Sequence, residues 1–324
     1  MSVDGRNYTS NLSRLTKHLG RLEAIQDGRP VSPVMIHMSL TNKCNLDCSY
    51  CCYGSRDLKD TLSLEQAMSA IDQFTKLGTR GLELTGGGDP SMSPHMGTVI
   101  SYAKSKGMDV GLITNGISLD KFGDYAKDLQ WMRVSLHGLN YGDRLVGKMG
   151  RTVDKAREVN PNIDISSVYI WTTGSEDTIQ KVADFTTKYR IPTRVTPDLT
   201  LGKDSIDYMM ASVGDAMKAS GGDYLFLSDF NVKTDRQHDR CYMHLVKPFV
   251  FTDGNVYDCP SLALSPENKL NVNDKFKVCS IDDIFETYSQ PSKPRLLDCL
   301  FCKYSMNNEF IDDLKRDLKH GNFA

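Results

Sequence analysis

The stretch from Thr41 to Cys52 reads TNKCNLDCSYCC and puts four of the chain's nine cysteines within twelve residues. Cys44, Cys48 and Cys51 form a C-x3-C-x2-C triplet just after an apolar run at 33–40. Three thiolates on one loop suit three irons of a 4Fe–4S cluster. The usual cluster takes four cysteines, so a triplet leaves one iron open to another ligand. Structural zinc takes four ligands, commonly as two close pairs, which this triplet is not. Adjacent cysteines reach one cluster only with backbone strain, so Cys52 is expected to be a packed thiol.

The other five cysteines lie in the last third of the chain. Cys241 precedes two short apolar runs that flank Asp253-Gly254, a hairpin signal, and Cys259 closes the second run. Cys299-x2-Cys302 follows and leads into a helical stretch at 305–320. Cys241, Cys259, Cys299 and Cys302 make a four-thiolate set whose spacing suits zinc or an iron–sulfur cluster equally. Cys279, just before a short helical stretch, is expected to be structural.

The elements that must position these thiols are legible from periodicity. Short apolar runs predict strands at 33–40, 81–85, 108–114, 131–137, 163–171 and 191–197, with helical patterns at 63–78, 94–106, 118–129, 149–158 and 175–189. Leu12, Leu15, Leu19 and Leu22 recur at helical spacing and predict an N-terminal helix. Strand–helix alternation implies a parallel sheet with covering helices. Alternate residues on these strands are polar: His37 and Ser39, Glu83 and Thr85, Arg133, Ser135 and His137, then Arg194 and Thr196. Parallel strands covered on both faces should be nearly all apolar. One polar face therefore predicts either local salt bridges and hydroxyl bonds or a partly open barrel whose lumen holds a polar ligand. A net charge of −2 argues against a polyelectrolyte grip on duplex nucleic acid. No apolar run approaches the roughly 20 residues of a membrane span, and the N-terminus lacks a signal-peptide apolar region. The expected location is cytoplasmic, or the host cytoplasm for a phage-encoded protein, where thiols stay reduced.

At Cys44, Cys48, Tyr50 and Cys51 the sequence resembles the radical S-adenosylmethionine (SAM) superfamily, whose hallmark is C-x3-C-x-aromatic-C after the first strand of a partial (βα)6 barrel. The resemblance implies a SAM-binding 4Fe–4S cluster on Cys44, Cys48 and Cys51, and reductive cleavage of SAM to a 5′-deoxyadenosyl radical that takes hydrogen from a substrate. Gly86, Gly87, Gly88 and Asp89 resemble the glycine-rich motif that receives the SAM amino group, although the family's usual acid is Glu. Asn115 in ITNG and Ser135 in VSLHG fall where family members contact SAM. Arg194 is placed either on the SAM carboxylate or in an ion pair with Glu83. His137 is a candidate catalytic residue or a hydrogen-bonded core histidine.

The C-terminal set resembles the SPASM and twitch extensions of the superfamily, which implies an auxiliary second 4Fe–4S cluster on Cys241, Cys259, Cys299 and Cys302. The expected architecture is α/β: a helical extension (1–32), a partial TIM-like (βα)6 barrel (33–222) and a C-terminal iron–sulfur (twitch/SPASM-like) region (223–324). The resemblance implies a flavodoxin- or ferredoxin-type reductant. The leading substrate expectation is a small molecule undergoing dehydrogenation. A peptide, or an amino-acid-modified nucleobase rearranged by an isomerase as in phage thymine hypermodification, is the alternative. A zinc-stabilised binding protein or electron carrier is the non-enzymatic one.

Overall fold

The computed structural model describes residues 12–54, 56–119, 124–172, 178–198, 203–227, 234–235, 240–260, 274–297, 299, 301–302 and 304–314. Strands and helices alternate: α1 (Leu12–Leu15), α2 (Leu19–Gln26), β1 (Met35–Ser39), α3 (Leu64–Leu77), β2 (Gly81–Thr85), α4 (Met96–Ser105), β3 (Asp109–Thr114), β4 (Trp131–Ser135), α5 (Asp143–Val159), β5 (Asp164–Trp171), α6 (Thr178–Tyr189), β6 (Thr193–Pro197), α7 (Lys203–Ser220) and β7 (Leu225–Leu227). The C-terminal third adds β8 (Thr234–Asp235), β9 (Arg240–Cys241), α8 (Met243–Val246), β10 (Phe249–Val250), β11 (Asn255–Tyr257), β12 (Lys277–Ser280), α9 (Ile284–Ser289), β13 (Arg295–Leu296), β14 (Phe301–Cys302) and α10 (Ser305–Asp313).

β1 to β7 are all parallel and stand side by side in chain order. Right-handed crossovers that always advance in one direction leave every connecting helix on the same face of the sheet. That face is the core. Ile36, Met38, Leu82, Leu84, Val110, Leu112, Met132 and Val134 are buried on it, as are Ile71, Phe74, Val99 and Ile100 of α3 and α4. The opposite face carries the polar residues of the alternation. Trp131 sits there as well, its indole occupying the space where a Cβ on Gly111 would stand.

The sheet does not close on itself. β10 pairs parallel to β1 (His37 with Phe249), and β11 and β12 continue the sheet antiparallel, giving ten strands. The C-terminal hairpin thus covers the edge of β1 that a closed barrel would offer to its last strand. Its turn contains Gly254 at φ +80°, a conformation glycine adopts without strain. The expected boundary at 222/223 falls between α7 and β7; of the strands after it, β7, β10, β11 and β12 extend the same sheet, while β9 pairs with β13 and β8 with β14 in two small separate sheets.

Several expectations change. Among the described residues, seven parallel strands stand in chain order rather than six, because α7 and β7 add a unit that the sequence reading missed. No α-helix spans 118–129: its described residues form a tight 3-10 turn at Tyr125–Asp128. The fourth strand ends at Ser135, and His137 lies in the 3-10 segment Leu136–Tyr141. The N-terminal helix breaks at His18 (φ −124°, ψ 34°), which shifts its phase. Leu15 and Leu22 are therefore buried, while Leu19 is 53% exposed. Residues 315–320 of the expected final helix and 173–177 before α6 lie outside the described residues. Among the described residues, no helix is long and apolar enough to cross a membrane.

Candidate active site

The thiol loop leaves the C-terminal end of β1. Its two ends are zipped together by Asn42 N–H to the Asp60 carbonyl (3.0 Å), Leu62 N–H to the Leu40 carbonyl (3.0 Å) and a Thr41–Thr61 bridge. Inside the loop, Cys51 N–H donates to the Cys48 carbonyl (3.0 Å) and Gly54 N–H to the Cys51 carbonyl (2.9 Å). Arg56 folds back over it, donating to the carbonyls of Asn42 and Tyr53 (each 2.7 Å) and pointing Nη1 at Cys51 Sγ (3.6 Å). Cys44, Cys48 and Cys51 are all half-buried. Burial pushes the Cys44 and Cys48 thiols up, and a neighbouring thiol pushes each further. A bound metal reverses that preference, because coordination deprotonates the thiol outright.

The loop after β2 is stitched to this one. Gly87 N–H donates to Ser39 Oγ (2.8 Å), Gly88 N–H to the Thr41 carbonyl (2.8 Å) and Asp89 N–H to the Lys43 carbonyl (2.9 Å). A Cβ at Gly88 would overlap the Lys43 carbonyl, and one at Gly87 would overlap the Asn42 amide oxygen. Glycine is required here for close backbone approach.

Asp89 behaves differently from the expectation that it receives an ammonium group. It is 4% exposed. Its carboxylate accepts from Ser91 N–H (2.9 Å), Ser91 Oγ, Thr114 Oγ1 (3.0 and 3.1 Å) and Asn115 N–H (2.7 Å). A carboxylate has about four lone-pair sites, and four protein donors fill them. Burial still outweighs these bonds and raises the carboxyl's pKa. The Asn115 side chain carries the connection onward, donating to Asn45 Oδ1 (2.6 Å) and lying 3.8 Å from Cys44 Sγ. Asn45 in turn donates to Ser118 Oγ (2.9 Å).

Tyr50 and His137 meet edge to face with ring centroids 4.8 Å apart. Tyr169 stands 6.2 Å beyond His137. His137 is buried, and burial alone holds its pKa down at about 4, so the imidazole is neutral. The hydroxyl of Tyr50 lies against Cys48, with its pKa pushed well up by burial. Ser135 ends β4, in register with Val168 and through it with Arg194. Burial, and after it Arg133, bring the pKa of Arg194 down to about 9, with Glu83 opposing them; the Glu83 carboxylate itself lies within ion-pair distance of His37 and Lys247.

In the C-terminal set, Cys241 is buried beside Cys299 and Cys302. Asn308 of α10 points its amide at Cys302 Sγ (3.7 Å) and accepts from Tyr242 N–H (2.8 Å). Cys259 lies by the partly buried Tyr53, whose hydroxyl donates to the Pro260 carbonyl (3.2 Å) and which also neighbours Cys51 and Cys52. Cys279 sits in β12 opposite Val256, its thiol pushed up to about 11 chiefly by burial. Among the described residues, no three or more Cys, His, Asp or Glu side chains already close to metal-ligand spacing. The chemistry of the triplet nevertheless fits a cluster: three thiols on one loop, amide and guanidinium N–H groups aimed at two of the sulfurs, and a glycine cradle beside them. Arg56, Asn45 and Asn308 escaped the sequence reading, because their partners are fixed only by folded loops.

Residues 38–184 match the Radical SAM superfamily model. The chain is 30% identical over 159 residues to an Fe-coproporphyrin III synthase of Methanosarcina barkeri, covering 48% of this chain and 35% of that one. It is 29% identical over 153 residues to a GTP 3',8-cyclase of Aquifex aeolicus (42% and 48%). It is 26% identical over 133 residues to an S-adenosylmethionine-dependent nucleotide dehydratase of Flammeovirga pacifica (38% and 45%). The matched region thus spans between a third and a half of the length of these relatives. The fold is similar to that of Streptococcus suis SuiB bound to S-adenosylmethionine, with a TM-score of 0.60 at 14% identity, covering 87% of this chain and 72% of that one. It is also similar to anSMEcpe with bound AdoMet and a peptide, with a TM-score of 0.56 at 16% identity, covering 79% and 80%. The matched segment runs from within β1 to within α6 and takes in both the thiol loop and the glycine loop, so the chain carries a radical SAM superfamily domain.

Proposed function

We propose that this chain is a radical SAM enzyme in which Cys44, Cys48 and Cys51 hold a 4Fe–4S cluster and SAM lies between the thiol loop and the ends of β2, β3 and β4. The observation that carries this reading is the stitching of the glycine loop to the thiol loop by three hydrogen bonds, with Asn115 bridging to Cys44. The cluster, when bound, supplies the electron that cleaves SAM to methionine and a 5′-deoxyadenosyl radical. The chain's own residues do the rest. Cys44, Cys48 and Cys51 would hold the cluster. Asn115 and Arg56 direct N–H groups at sulfur. The backbone around Gly86, Gly87 and Gly88 gives a ligand close approach, and with Asp89 occupied, it falls to that backbone to receive the amino group. Ser135 faces the same space. His137 supports Tyr50 from behind and keeps water from that side of the loop.

Cys241, Cys259, Cys299 and Cys302 are proposed to hold a second, auxiliary cluster, and the net reaction is proposed to be oxidation of a small molecule. The names of the GTP cyclase and nucleotide dehydratase relatives favour a nucleotide-sized substrate within that class over a peptide. The test is 5′-deoxyadenosine formation after dithionite reduction. Cys44→Ala, Cys48→Ala and Cys51→Ala each abolish it, and Cys52→Ala largely spares it. Full cleavage by any of the first three variants removes the assignment.

A further inference from the structure

The C-terminal helix begins three residues after Cys302 and grips the strand that ends in Cys241. Ser305, Asn308 and Ile311 recur at helical spacing and form the buried face of α10. Asn308 is fully buried. Its Oδ1 accepts from the backbone N–H of Tyr242 (2.8 Å), the residue after Cys241. Residues four apart lie on the same side of a helix, so Asp312 sits one turn beyond Asn308. Asp312 accepts from the Tyr242 hydroxyl and pairs with Arg240 (3.7 Å). One side of α10 thus holds the residues on both flanks of Cys241.

An amide side chain has one oxygen and one NH2 group, so a contact that fixes the first also fixes the second. The Tyr242 N–H can only donate, and it therefore turns Oδ1 of Asn308 towards itself. The NH2 group then faces Cys302 Sγ at 3.7 Å, its hydrogen-bond partner among the described residues. A buried NH2 is costly without an acceptor. The Tyr242 N–H accounts for the oxygen of this side chain, and the sulfur accounts for its nitrogen. Asn115 repeats the arrangement at the other thiol site: Oδ1 takes the Ile117 N–H (3.0 Å), and Nδ2 lies 3.8 Å from Cys44 Sγ. Hydrogen bonds to sulfur favour the reduced, more negative state of an iron–sulfur cluster, and outer contacts of this kind also orient the ligand. We propose that Asn308 is a positioning residue of the C-terminal thiol site, which ties Cys302 to the strand of Cys241 and, through its N–H to sulfur, raises the reduction potential of the cluster held there. The inference rests on the auxiliary-cluster reading of Cys241, Cys259, Cys299 and Cys302.

The test is a redox titration followed by electron paramagnetic resonance, with iron and zinc analysis. It uses the full chain carrying Cys44→Ala, Cys48→Ala and Cys51→Ala, reconstituted anaerobically, so that bound iron belongs to the C-terminal set. Asn308→Leu removes the N–H donor at similar volume and also strips the Tyr242 N–H of its acceptor. Asn308→Asp keeps an oxygen for the Tyr242 N–H and turns the other oxygen to the sulfur, so the clasp survives without the donor. In both variants the cluster becomes harder to reduce. The expected change is about tenfold in the reduction equilibrium, the scale of one hydrogen bond to a charged group, or about 59 mV for a one-electron couple. A purely structural Asn308 predicts an unchanged midpoint in Asn308→Asp, because the clasp is intact. That result, with iron retained, overturns the proposal and leaves the auxiliary cluster standing. Should Asn308→Leu lose its iron, the midpoint of Asn308→Asp decides. Absence of iron from the parent triple variant, with or without zinc in its place, overturns the auxiliary-cluster reading and the role of Asn308 with it.

Discussion

Replacing Asp89 separates a clamp from a ligand. In Asp89→Ala the backbone N–H groups of Ser91 and Asn115 lose their acceptor in a buried place, while the hydroxyls of Ser91 and Thr114 can rotate. Each orphaned N–H costs about 1–3 kcal/mol. Removing a buried carboxylate whose pKa burial raises returns part of that, so the net loss is about 2–4 kcal/mol. Asp89→Asn is not conservative either. Oδ1 serves Ser91 and Oδ2 serves Asn115, so either orientation of the new amide sets an NH2 against one of those N–H groups. Its expected cost is about 1–3 kcal/mol. Urea unfolding should therefore rank wild type above Asp89→Asn above Asp89→Ala. SAM cleavage should fall in the same order, because Asn115 is released from Asn45 and Cys44. The reasoning fails if Asp89→Ala unfolds within about 0.5 kcal/mol of wild type and cleaves SAM fully. It fails differently if Asp89→Asn keeps full stability but no longer binds SAM, since the carboxylate would then be a ligand.

Three further outcomes follow from the same geometry. Replacing Cys241, Cys259, Cys299 and Cys302 together should lower iron by roughly four per chain and loosen the C-terminal region, whereas Cys279→Ala should leave the iron count unchanged; unchanged iron in the fourfold variant would assign these thiols to zinc or to no metal. With substrate deuterated at the target carbon, an oxidation consumes one SAM per product and leaves deuterium in 5′-deoxyadenosine; a deoxyadenosine-to-product ratio far below one, with deuterium returned to product, would instead mark an isomerase. His137 has its folded pKa held down at about 4 by burial, so between pH 6.5 and that value the unfolded chain takes up a proton the folded chain refuses. Its stability contribution is complete above pH 6.5 and falls by about 3 kcal/mol as the pH drops to 4. The difference between wild type and His137→Gln in denaturant unfolding isolates this slope, and a pH-independent difference would show that the imidazole is not desolvated.

What the sequence determined by itself is what its short-range patterns encode. The thiol triplet spans eight residues, from Cys44 to Cys51, so its chemistry could be read without the fold. The first six parallel strands were legible as short apolar runs, and four of them showed period-two alternation, because one face packs on helices and the other does not. The hairpin at Gly254 was legible because its turn needs a residue that tolerates φ +80°. Helix phase at the N-terminus was not, since the break at His18 turns Leu19 outward. Nor was the seventh parallel unit.

Tertiary structure decided which residues meet. That Asp89 spends its acceptors on Thr114 and Asn115 depends on β2 lying beside β3 and on where each strand stops. That His137 leaves the face of Ser135 to pack on Tyr50 depends on β4 ending two residues earlier than its apolar pattern. That Lys247 joins Glu83, more than 160 residues away, depends on the C-terminal hairpin taking the open edge of β1. Side-chain type and spacing set what chemistry is available, because bonding capacity belongs to each residue. Which capacities are used up inside the protein, and which face a ligand, is set by strand register and loop closure between segments far apart in the chain.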